Sequence, residues 1–301
     1  MVSGINSGMN DGTHRGEGLE AALGRIAAEE MRLAMQELSR RDHAESIHSV
    51  RKSIKRLRAL LRSLRVTFPK NLYRSENRRL AEAGRKISPL RDVHVQLRTL
   101  GKLRGCRGRV AAGVRRDLRS QEQKFLRKMP ELRKAVRAML GRSRGTMDSW
   151  PLGRTTPASL ETGLKRIYKQ GRAAFKTALR NPSPERLHEW RKKVKALGFG
   201  LELVGRLAPR KISKELPDCR ELGDVLGANH DLFMVLEALR SANSLSRKTD
   251  YKRLARRIST KRAKLRRRSL KLGRKIYKEK PRAFAKHLDQ VMAGLKPKSR
   301  S

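Results

Sequence analysis

Residues 47–65 read IHSVRKSIKRLRALLRSLR, and residues 187–204 read LHEWRKKVKALGFGLELV. In both stretches apolar side chains recur every three or four residues, which is the spacing of one face of an α-helix. At about 100° per residue these positions cluster opposite the histidine and form a core stripe. The two stripes share one offset, 188 − 48 = 140 residues. Six pairs have this offset: Ile47, Val50, Ile54, Leu57, Leu61 and Leu64 with Leu187, Trp190, Val194, Leu197, Leu201 and Val204.

The polar side of each predicted helix is repeated as well. Two sets of four residues occupy the same places in the two copies: His48, Arg51, Lys52 and Lys55, then His188, Arg191, Lys192 and Lys195. Each set lies within about 60° of one line along its helix. A second match pairs Asp92 with Asp231, at an offset of 231 − 92 = 139 residues. Two matches at nearly one offset predict an internal duplication.

Capping signals divide the rest of the chain into helices. Asp42, Ser88 and Ser183 each stand where a helix N-cap is expected, and a proline follows Ser88 and Ser183 in the first turn. Pro209 is expected to close the helix that begins after Ser183. No segment alternates as a strand does, so the sequence predicts an all-α fold.

Residues 141–157, GRSRGTMDSWPLGRTTP, collect the residue types that favour turns and loops. We expect this stretch to link two halves of one domain. The predicted bounds are a disordered tail over 1–18, a first half over 19–140, the linker over 141–157, a second half over 158–295 and a tail over 296–301.

The balance of charges points to a polyanionic partner. The chain has 75 Lys and Arg against 28 Asp and Glu, a formal net charge of +47 over 301 residues. Such an excess repels itself unless an anion lies nearby. Cys106 and Cys219 form no metal-binding or disulfide pattern, and there is no secretory signal or apolar run long enough to span a membrane. We therefore expect a soluble, cytoplasmic protein with no membrane partner.

The repeated basic face suits a chain of phosphates. Cations at i, i+3, i+4 and i+7 repel one another by a few tenths of a kcal/mol per pair, so helix propensity alone would not select them. Phosphate oxygens accept charge-assisted hydrogen bonds from Arg and Lys and reverse the sign of this interaction. The histidine should then gain a proton on binding, so that binding tightens as pH falls. The competing interpretation, a solvated helix face, fits a single cluster better than a repeated one.

The segment HSVRKSIKRLR, residues 48–58, resembles the CHAD family, the conserved-histidine alpha-helical domains, whose signature is H-x-x-R-x-x-x-[KR]-R-L-R. Residues 188–198, HEWRKKVKALG, are similar to a second copy, and LRDV at 90–93 and LGDVLG at 222–227 resemble companion motifs. The resemblance covers residues 19–295. It implies two pseudo-symmetric antiparallel helical bundles that enclose a basic channel, inorganic polyphosphate as ligand, and residence on polyphosphate granules.

The resemblance also implies which residues bind the phosphates. Its second copy departs from the pattern at Ala196 and Gly198, and Glu202 stands where the first copy has Arg62. Tyr168 and Arg166, on the preceding predicted helix together with Arg172, are candidates to compensate for this shorter face. The predicted binding residues are His48, Arg51, Lys52, Lys55, Arg58, Arg62, His188, Arg191, Lys192, Lys195 and Arg172.

Catalytic and metal-binding interpretations are weaker. Asp92 and Asp231 could act as catalytic carboxylates, but each is expected near a first helical turn, where a carboxylate stabilises free N–H groups. His94 and His230 could join His48 and His188 around zinc, yet no ligand motif supports this. Phosphate-binding glycine loops and the ExExK signature of triphosphate-hydrolysing CYTH modules are absent from the sequence. We predict a non-enzyme without cofactor or metal, with a metal-dependent phosphohydrolase as the rival enzyme class.

Residues 247–280 form the densest run of positive charge and leave a nucleic-acid interpretation open. Low aromatic content gives few platforms for base stacking, so any such binding would be directed at the RNA or DNA backbone. The alternative is a helix that packs on the core and carries a very basic outer side, since apolar residues such as Leu254 and Ile258 recur within the run.

Overall fold

The computed structural model describes residues 17–103, 108–208, 215–242 and 248–293, and these residues form α-helices and turns but no strand. The all-α fold class is thereby confirmed. Residues 1–16 of the predicted N-terminal tail and the whole predicted tail 296–301 lie outside the described residues, as does Cys106. The helices are α1 (Leu19–Glu37), α2 (His43–Ser63), α3 (Lys70–Lys86), α4 (Ser88–Gly101), α5 (Arg109–Arg127), α6 (Met129–Gly145), α7 (Pro157–Arg180), α8 (Pro184–Leu207), α9 (Glu215–Ala242), α10 (Lys248–Ile276) and α11 (Pro281–Met292).

The two repeated stretches are the middle parts of α2 and α8. All twelve residues of the predicted core stripes are buried, with at most 6% of any of them exposed. The N-caps of these two helices are also as predicted. In α2, Asp42 Oδ1 accepts from the backbone N–H groups of Ala44 and Glu45 at 3.0 and 3.2 Å. Ser183 Oγ accepts from the N–H of Arg186 at 3.3 Å. The helix ends at Leu207, and Pro209 lies outside the described residues.

The helices do not divide into one core for each half of the chain. One buried cluster joins α1, α2, α3, α6, α7, α8, α11 and the first part of α9. A second cluster joins α4, α5, the last part of α9 and the first part of α10. Each core therefore combines helices from both predicted halves, and α2 packs directly against α7 and α8. The internal duplication itself stays a prediction.

The linker region is more ordered than its composition indicates. Helix α6 continues to Gly145, five residues into the predicted linker, and α7 starts at Pro157. Two short 3₁₀ turns, Met147–Ser149 and Leu152–Arg154, connect them. Trp150 and Leu152 are buried in the first core, where the Trp150 ring packs edge-on against Phe68 with centroids 5.7 Å apart. The connection thus takes part in the core.

Helices α3 and α4 are separated by a break that α9 lacks. The break falls at Ile87, which occupies the N-cap position of α4, so the prediction that Ser88 is the cap is wrong by one residue. Ser88 Oγ instead donates to the carbonyl of Gly84 at 2.7 Å. At the offset of 139 the Ser88-Pro89 pair becomes Gly227-Ala228, without the proline that interrupts a helix. Consequently α9 runs unbroken, and Asp231 lies in its interior. The prediction that Asp231 lies near a first helical turn is therefore wrong.

The basic run 247–280 is mostly helix α10, and its alternative interpretation as a core-packing helix is confirmed. Leu254 and Ile258 are buried in the second core, and Ile276 is buried in the first. Most charged side chains of this helix are exposed, whereas Arg262 packs over the Phe233 ring of α9 with its guanidinium carbon 4.9 Å from the centroid. Among the described helices, none combines the length and the apolar content needed to cross a membrane.

The closest contact between α2 and α7 depends on Gly163. A Cβ atom built on Gly163 would lie 1.7 Å from the carbonyl oxygen of Ser63, so the two backbones meet with no room for a side chain. We expect Gly163→Ala to lower the free energy of unfolding by about 1–3 kcal/mol, although alanine is the better helix former.

Gly205, also in a helix, has open space at its Cβ position and provides the matched control. Gly205→Ala should leave stability unchanged or raise it by up to about 1 kcal/mol. Urea unfolding of both variants measures this difference, and equal effects would contradict the close contact.

Candidate anion-binding channel

The basic faces of α2 and α8 meet in one groove. Lys55 on α2 lies close enough to Arg191 and Lys195 on α8 for their charges to lower its pKa. Arg51 is likewise influenced by Arg191. The structure thus brings Arg51 and Lys55 of the first set close to Arg191 and Lys195 of the second. Lys192 of the second set is exposed, and its Nζ pairs with Glu189 Oε1 at 2.6 Å. We call this groove the channel, and it is lined by the cationic faces of α2 and α8 and by the residues of α4 and α9 that face them.

Lys55 is the most perturbed lysine of the channel. Its side chain is exposed at the surface, but the protein around it excludes part of the water that would hydrate the ammonium group. This desolvation lowers the pKa of Lys55 to about 8, and repulsion from Arg51, Arg191 and Lys195 contributes to the shift. A concave wall of cations that repel one another is a site that an anion would stabilise.

Two carboxylates face these cations. Asp92 on α4 is near Arg51, Lys55 and Arg191, and Asp231 on α9 is near Arg191. Burial raises the pKa of both carboxyl groups, whereas the surrounding cations oppose this shift. Asp92 lies near the start of α4, as predicted, whereas Asp231 lies inside α9. Both supply partial counter-charge to the channel.

Glycines of α9 let the cations of α8 lie close to its backbone. A Cβ atom on Gly223 would come within 3.0 Å of Lys195 Nζ, and one on Gly227 within 3.6 Å of Arg191 Nε. Lys195 Nζ contacts Asp224 Oδ1 at 3.0 Å. On the other side of the channel Arg51 Nη1 donates to the carbonyl of Gly84 at 3.3 Å. The LGDVLG motif therefore positions the basic face of α8.

The first copy extends the channel towards α3 and α7. Arg58 Nε donates to Asn77 Oδ1 at 3.1 Å, and burial with repulsion from Arg62 lowers the pKa of Arg58 to about 10. Arg166 of α7 joins this end, because its Nη2 donates to the carbonyl of Arg62 at 3.0 Å. Arg65 stacks over the Tyr73 ring with its guanidinium carbon 5.1 Å from the centroid. The cationic row on α2 thus continues to its last turn.

The second copy stops at Lys195. Glu202, which takes the place of Arg62, lies 3.4 Å from Arg56 and 3.2 Å from Arg220. The buried carboxylate of Glu30 contacts Arg56 and Arg206, each at 3.1 Å. This end of α8 therefore belongs to an ion-pair network that joins α1, α2, α8 and α9, which explains why its basic face is shorter.

Two of the residues expected to compensate for the shorter face do not reach the channel. Arg172 Nε donates to the carbonyl of Tyr277 at 3.2 Å, beyond the end of α10. The buried Tyr168 hydroxyl donates to the carbonyls of Ile276 and Glu279 at 3.0 Å. Arg166 does reach the channel, but at the end formed by the first copy. The structure thus gives Arg172 and Tyr168 a role in holding α7 against the segment after α10.

The four histidines considered for zinc do not converge. His94 Nε2 pairs with Glu122 Oε1 at 2.7 Å, whereas the rings of His188 and His230 lie 4.5 Å apart. Burial and the neighbouring His188 lower the pKa of His230 to about 4. Within the described ranges no group of three or more His, Cys, Asp or Glu side chains is arranged to hold a metal ion.

Polar atoms in the channel lack partners within the protein. Arg191 Nε and Arg166 Nε are buried N–H donors, and no acceptor in the described part of the chain lies within hydrogen-bond distance. An unpaired buried donor costs about 1–3 kcal/mol. Unpaired donors on both α8 and α7 are consistent with a ligand that carries several hydrogen-bond acceptors.

Sequence reasoning left Arg91 and Arg98 of α4 out of the binding set. The charge of Arg91 lowers the pKa of His48 and of Arg51. The charge of Arg98 lowers the pKa of Arg91 and opposes the rise in the pKa of Asp231, so both arginines belong to the channel. Arg91 could have been predicted from the sequence, because it lies in the LRDV motif. Arg98 follows it by two helical turns, a spacing that could have identified it.

A family model for the CHAD domain matches residues 17–240 of the chain. The chain belongs to the CHAD family. Two solved structures share this fold at low sequence identity. PptA from Streptomyces chartreusis has a TM-score of 0.59 and 14% identity, over 87% of this chain and 98% of its own. The CHAD domain from the plant Ricinus communis has a TM-score of 0.52 and 18% identity, over 92% and 91%. No protein with a curated description matches the sequence.

The position of Lys55 predicts how the stability of the free protein depends on pH. Its pKa of about 8 in the folded state is below the ordinary lysine value, 10.5, so between these values the unfolded chain binds more protons. Stability contributed by this group therefore rises as pH increases through this window. We expect Lys55→Gln to raise the unfolding temperature at pH 7 and to flatten the rise between pH 8 and 10.

Lys134→Gln, an exposed lysine of α6, is the control and should change neither the unfolding temperature at pH 7 nor its pH dependence. Thermal unfolding monitored by circular dichroism across this range tests the prediction. A Lys55→Gln protein less stable than the parent at pH 7 would contradict it.

Proposed function

We propose that this CHAD-family protein binds inorganic polyphosphate in the channel and does not cleave it. The observation that carries the proposal is the convergence of two cationic helix faces, with unpaired buried N–H donors on Arg191 and Arg166. Some members of the CHAD family bind polyphosphate, which supports this choice of ligand.

The length of the cationic row favours a linear chain over a single phosphate. From His48 to Arg62 the row spans 62 − 48 = 14 helical steps of α2, about 21 Å at 1.5 Å per residue. Several phosphate groups in series fit such a row, each accepting from a different Arg or Lys side chain. The longer face on α2 then holds more phosphates than the face on α8, which ends at Lys195.

Binding should be coupled to proton uptake. Burial and nearby cations lower the pKa of His48, His188 and Lys55 in the free protein. A polyanion beside these groups favours their charged forms and raises each pKa. Affinity should therefore fall as pH rises through the values in the complex.

The proposal extends to where the protein acts and what else it binds. A protein that holds polyphosphate without consuming it would accompany the polymer to cytoplasmic polyphosphate granules. Nucleic acid also presents a chain of phosphates, so tRNA is the competing ligand to test against polyphosphate for binding in the channel. The competing outcome is that tRNA holds the channel and that long-chain polyphosphate fails to displace it at near-physiological salt.

The decisive variant is Arg51→Ala with Lys55→Ala. Each side chain is expected to make a charge-assisted hydrogen bond to phosphate, a contribution of about 1.5–3 kcal/mol, so affinity for long-chain polyphosphate should fall about 100-fold or more. Helicity should be retained, because alanine favours helix and neither side chain belongs to the core stripe. Calorimetric titration with polyphosphate measures the change.

Arg116→Ala with Arg119→Ala, two exposed cations of α5, removes the same net charge and should change affinity by less than about threefold. Equal losses in the two proteins would indicate bulk attraction and not a site. Competition with tRNA on the same proteins identifies the preferred ligand of the channel.

The non-catalytic part of the proposal is tested separately. Asp92 and Asp231 lie among cations that repel a metal ion, and both are expected to act only as counter-charges. Incubation with polyphosphate and Mg²⁺ or Mn²⁺ should leave the chain length unchanged on a gel. Shortening of the polymer that Asp92→Asn or Asp231→Asn abolishes would overturn this part and leave the binding proposal standing.

A further inference from the structure

Helix α10 presents a second cationic surface that the channel does not use. Of its 29 residues, 14 are Lys or Arg and one, Asp250, is acidic. Exposed cations recur along it at spacings of three, four or eight residues and lie on one side of the helix. We call this surface the outer face, and it consists of Lys252, Arg256, Lys264, Arg267, Lys271 and Arg274.

The outer face is distinct from the channel. Helix α10 packs on α9, and α9 packs on α8. Helix α9 presents Gly223 and Gly227 to the channel cations, whereas Asn229 of the same helix donates to the carbonyl of Arg262 on α10 at 2.9 Å. A ligand on the outer face would therefore lie across α9 from polyphosphate in the channel.

In the part of the chain that the structure describes, carboxylates do not balance the charges of the outer face. On the side of α10 that faces α9, Arg268 and Lys275 reach the carboxylates of Glu221 and Asp218 at 2.6 and 2.9 Å. These six residues form no ion pair with a carboxylate in the described ranges, whereas Arg253, which lies on the same side of the helix, pairs with Asp250 at 3.8 Å. Repulsion along such a row of cations destabilises the helix unless an anion lies nearby. Ion pairs within the helix therefore do not explain why the row is present.

The shape and composition of this surface select among polyanions. It lies along a helix and runs about 33 Å from Lys252 to Arg274, at 1.5 Å per residue. The described residues place no exposed large apolar side chain on it that could enter a lipid bilayer. Tyr251 is packed against the second core, so the face also offers no aromatic platform for stacking single-stranded bases.

We propose that the outer face of α10 binds the phosphate backbone of double-stranded nucleic acid without reading its sequence. A duplex is rigid and has its phosphates on the outside, so it loses little conformational entropy on an open surface. A flexible chain would have to be ordered there without walls to confine it. This inference concerns a surface other than the channel and does not depend on what the channel binds.

The test uses the full-length protein and a mixed-sequence DNA duplex of about 24 base pairs, longer than the face. The variant is Lys252→Ala with Arg256→Ala and Lys264→Ala, all exposed positions where alanine maintains the helix. Fluorescence anisotropy over a series of salt concentrations should show at least a tenfold loss of affinity. The slope of log affinity against log salt should fall by about 2–3, since about 0.9 counterions are released for each phosphate contact.

Two further proteins make the result specific. Lys169→Ala with Lys176→Ala and Arg180→Ala removes three exposed cations of α7 and should retain duplex affinity within about threefold. Arg51→Ala with Lys55→Ala, altered in the channel, should also retain it. The α10 variant should in turn bind polyphosphate as the parent does.

Equal loss of duplex binding in the α7 and α10 variants would overturn the inference, as would loss in the channel variant or no duplex binding by the parent at roughly physiological salt. Binding to anionic lipid vesicles through the same three cations, without duplex binding, would overturn it as well. Failure of the polyphosphate proposal gives a different result, since the channel variant would then keep its polyphosphate affinity.

Discussion

Like charges held face to face are the constraint on which this structure depends. Helices α2 and α8 bring Arg51, Lys55 and Arg191 close enough to depress the pKa values of Arg51 and Lys55, and the acidic groups beside them offset only part of the repulsion. The free energy that keeps the helices together comes from the apolar stripes behind the cations. Each stripe is almost fully removed from water, and burial of this kind stabilises by about 25 cal/mol per Å².

Periodicity predicted what depends on one helix at a time. The buried positions from Ile47 to Leu64 and from Leu187 to Val204 follow from spacing alone, and so do the basic lines opposite them. N-caps such as Asp42 could also be predicted from the sequence, because a cap and the N–H groups that it accepts from lie within four residues. The prediction that Asp231 lies near a first helical turn was wrong, because α9 has Ala228 where α4 has the proline that follows Ser88, and so it runs on without a break.

Contacts between helices distant in sequence could not be predicted in this way. Arg166 and Arg172 are six residues apart on α7, and nothing local distinguishes them. One reaches the carbonyl of Arg62 and the other the carbonyl of Tyr277. The difference follows from where α2 and α10 cross α7, and the first crossing is set by Gly163 against Ser63. Likewise, each core mixes helices from both predicted halves of the chain, which spacing within one helix does not predict.

The asymmetry between the two copies follows from the same packing. Arg62 lies beside α7, where Arg166 adds to the cationic row, whereas Glu202 pairs with Arg56 and Arg220. Arg56 is also a partner of the buried Glu30 of α1, together with Arg206. A buried carboxylate left without a cation is strongly destabilising, so this end of α8 is constrained by the fold and not by a ligand. A phosphate chain in the channel would therefore be held along all of α2 but only along the first half of α8. Beyond Lys195 the basic face of α8 gives way to this ion-pair network.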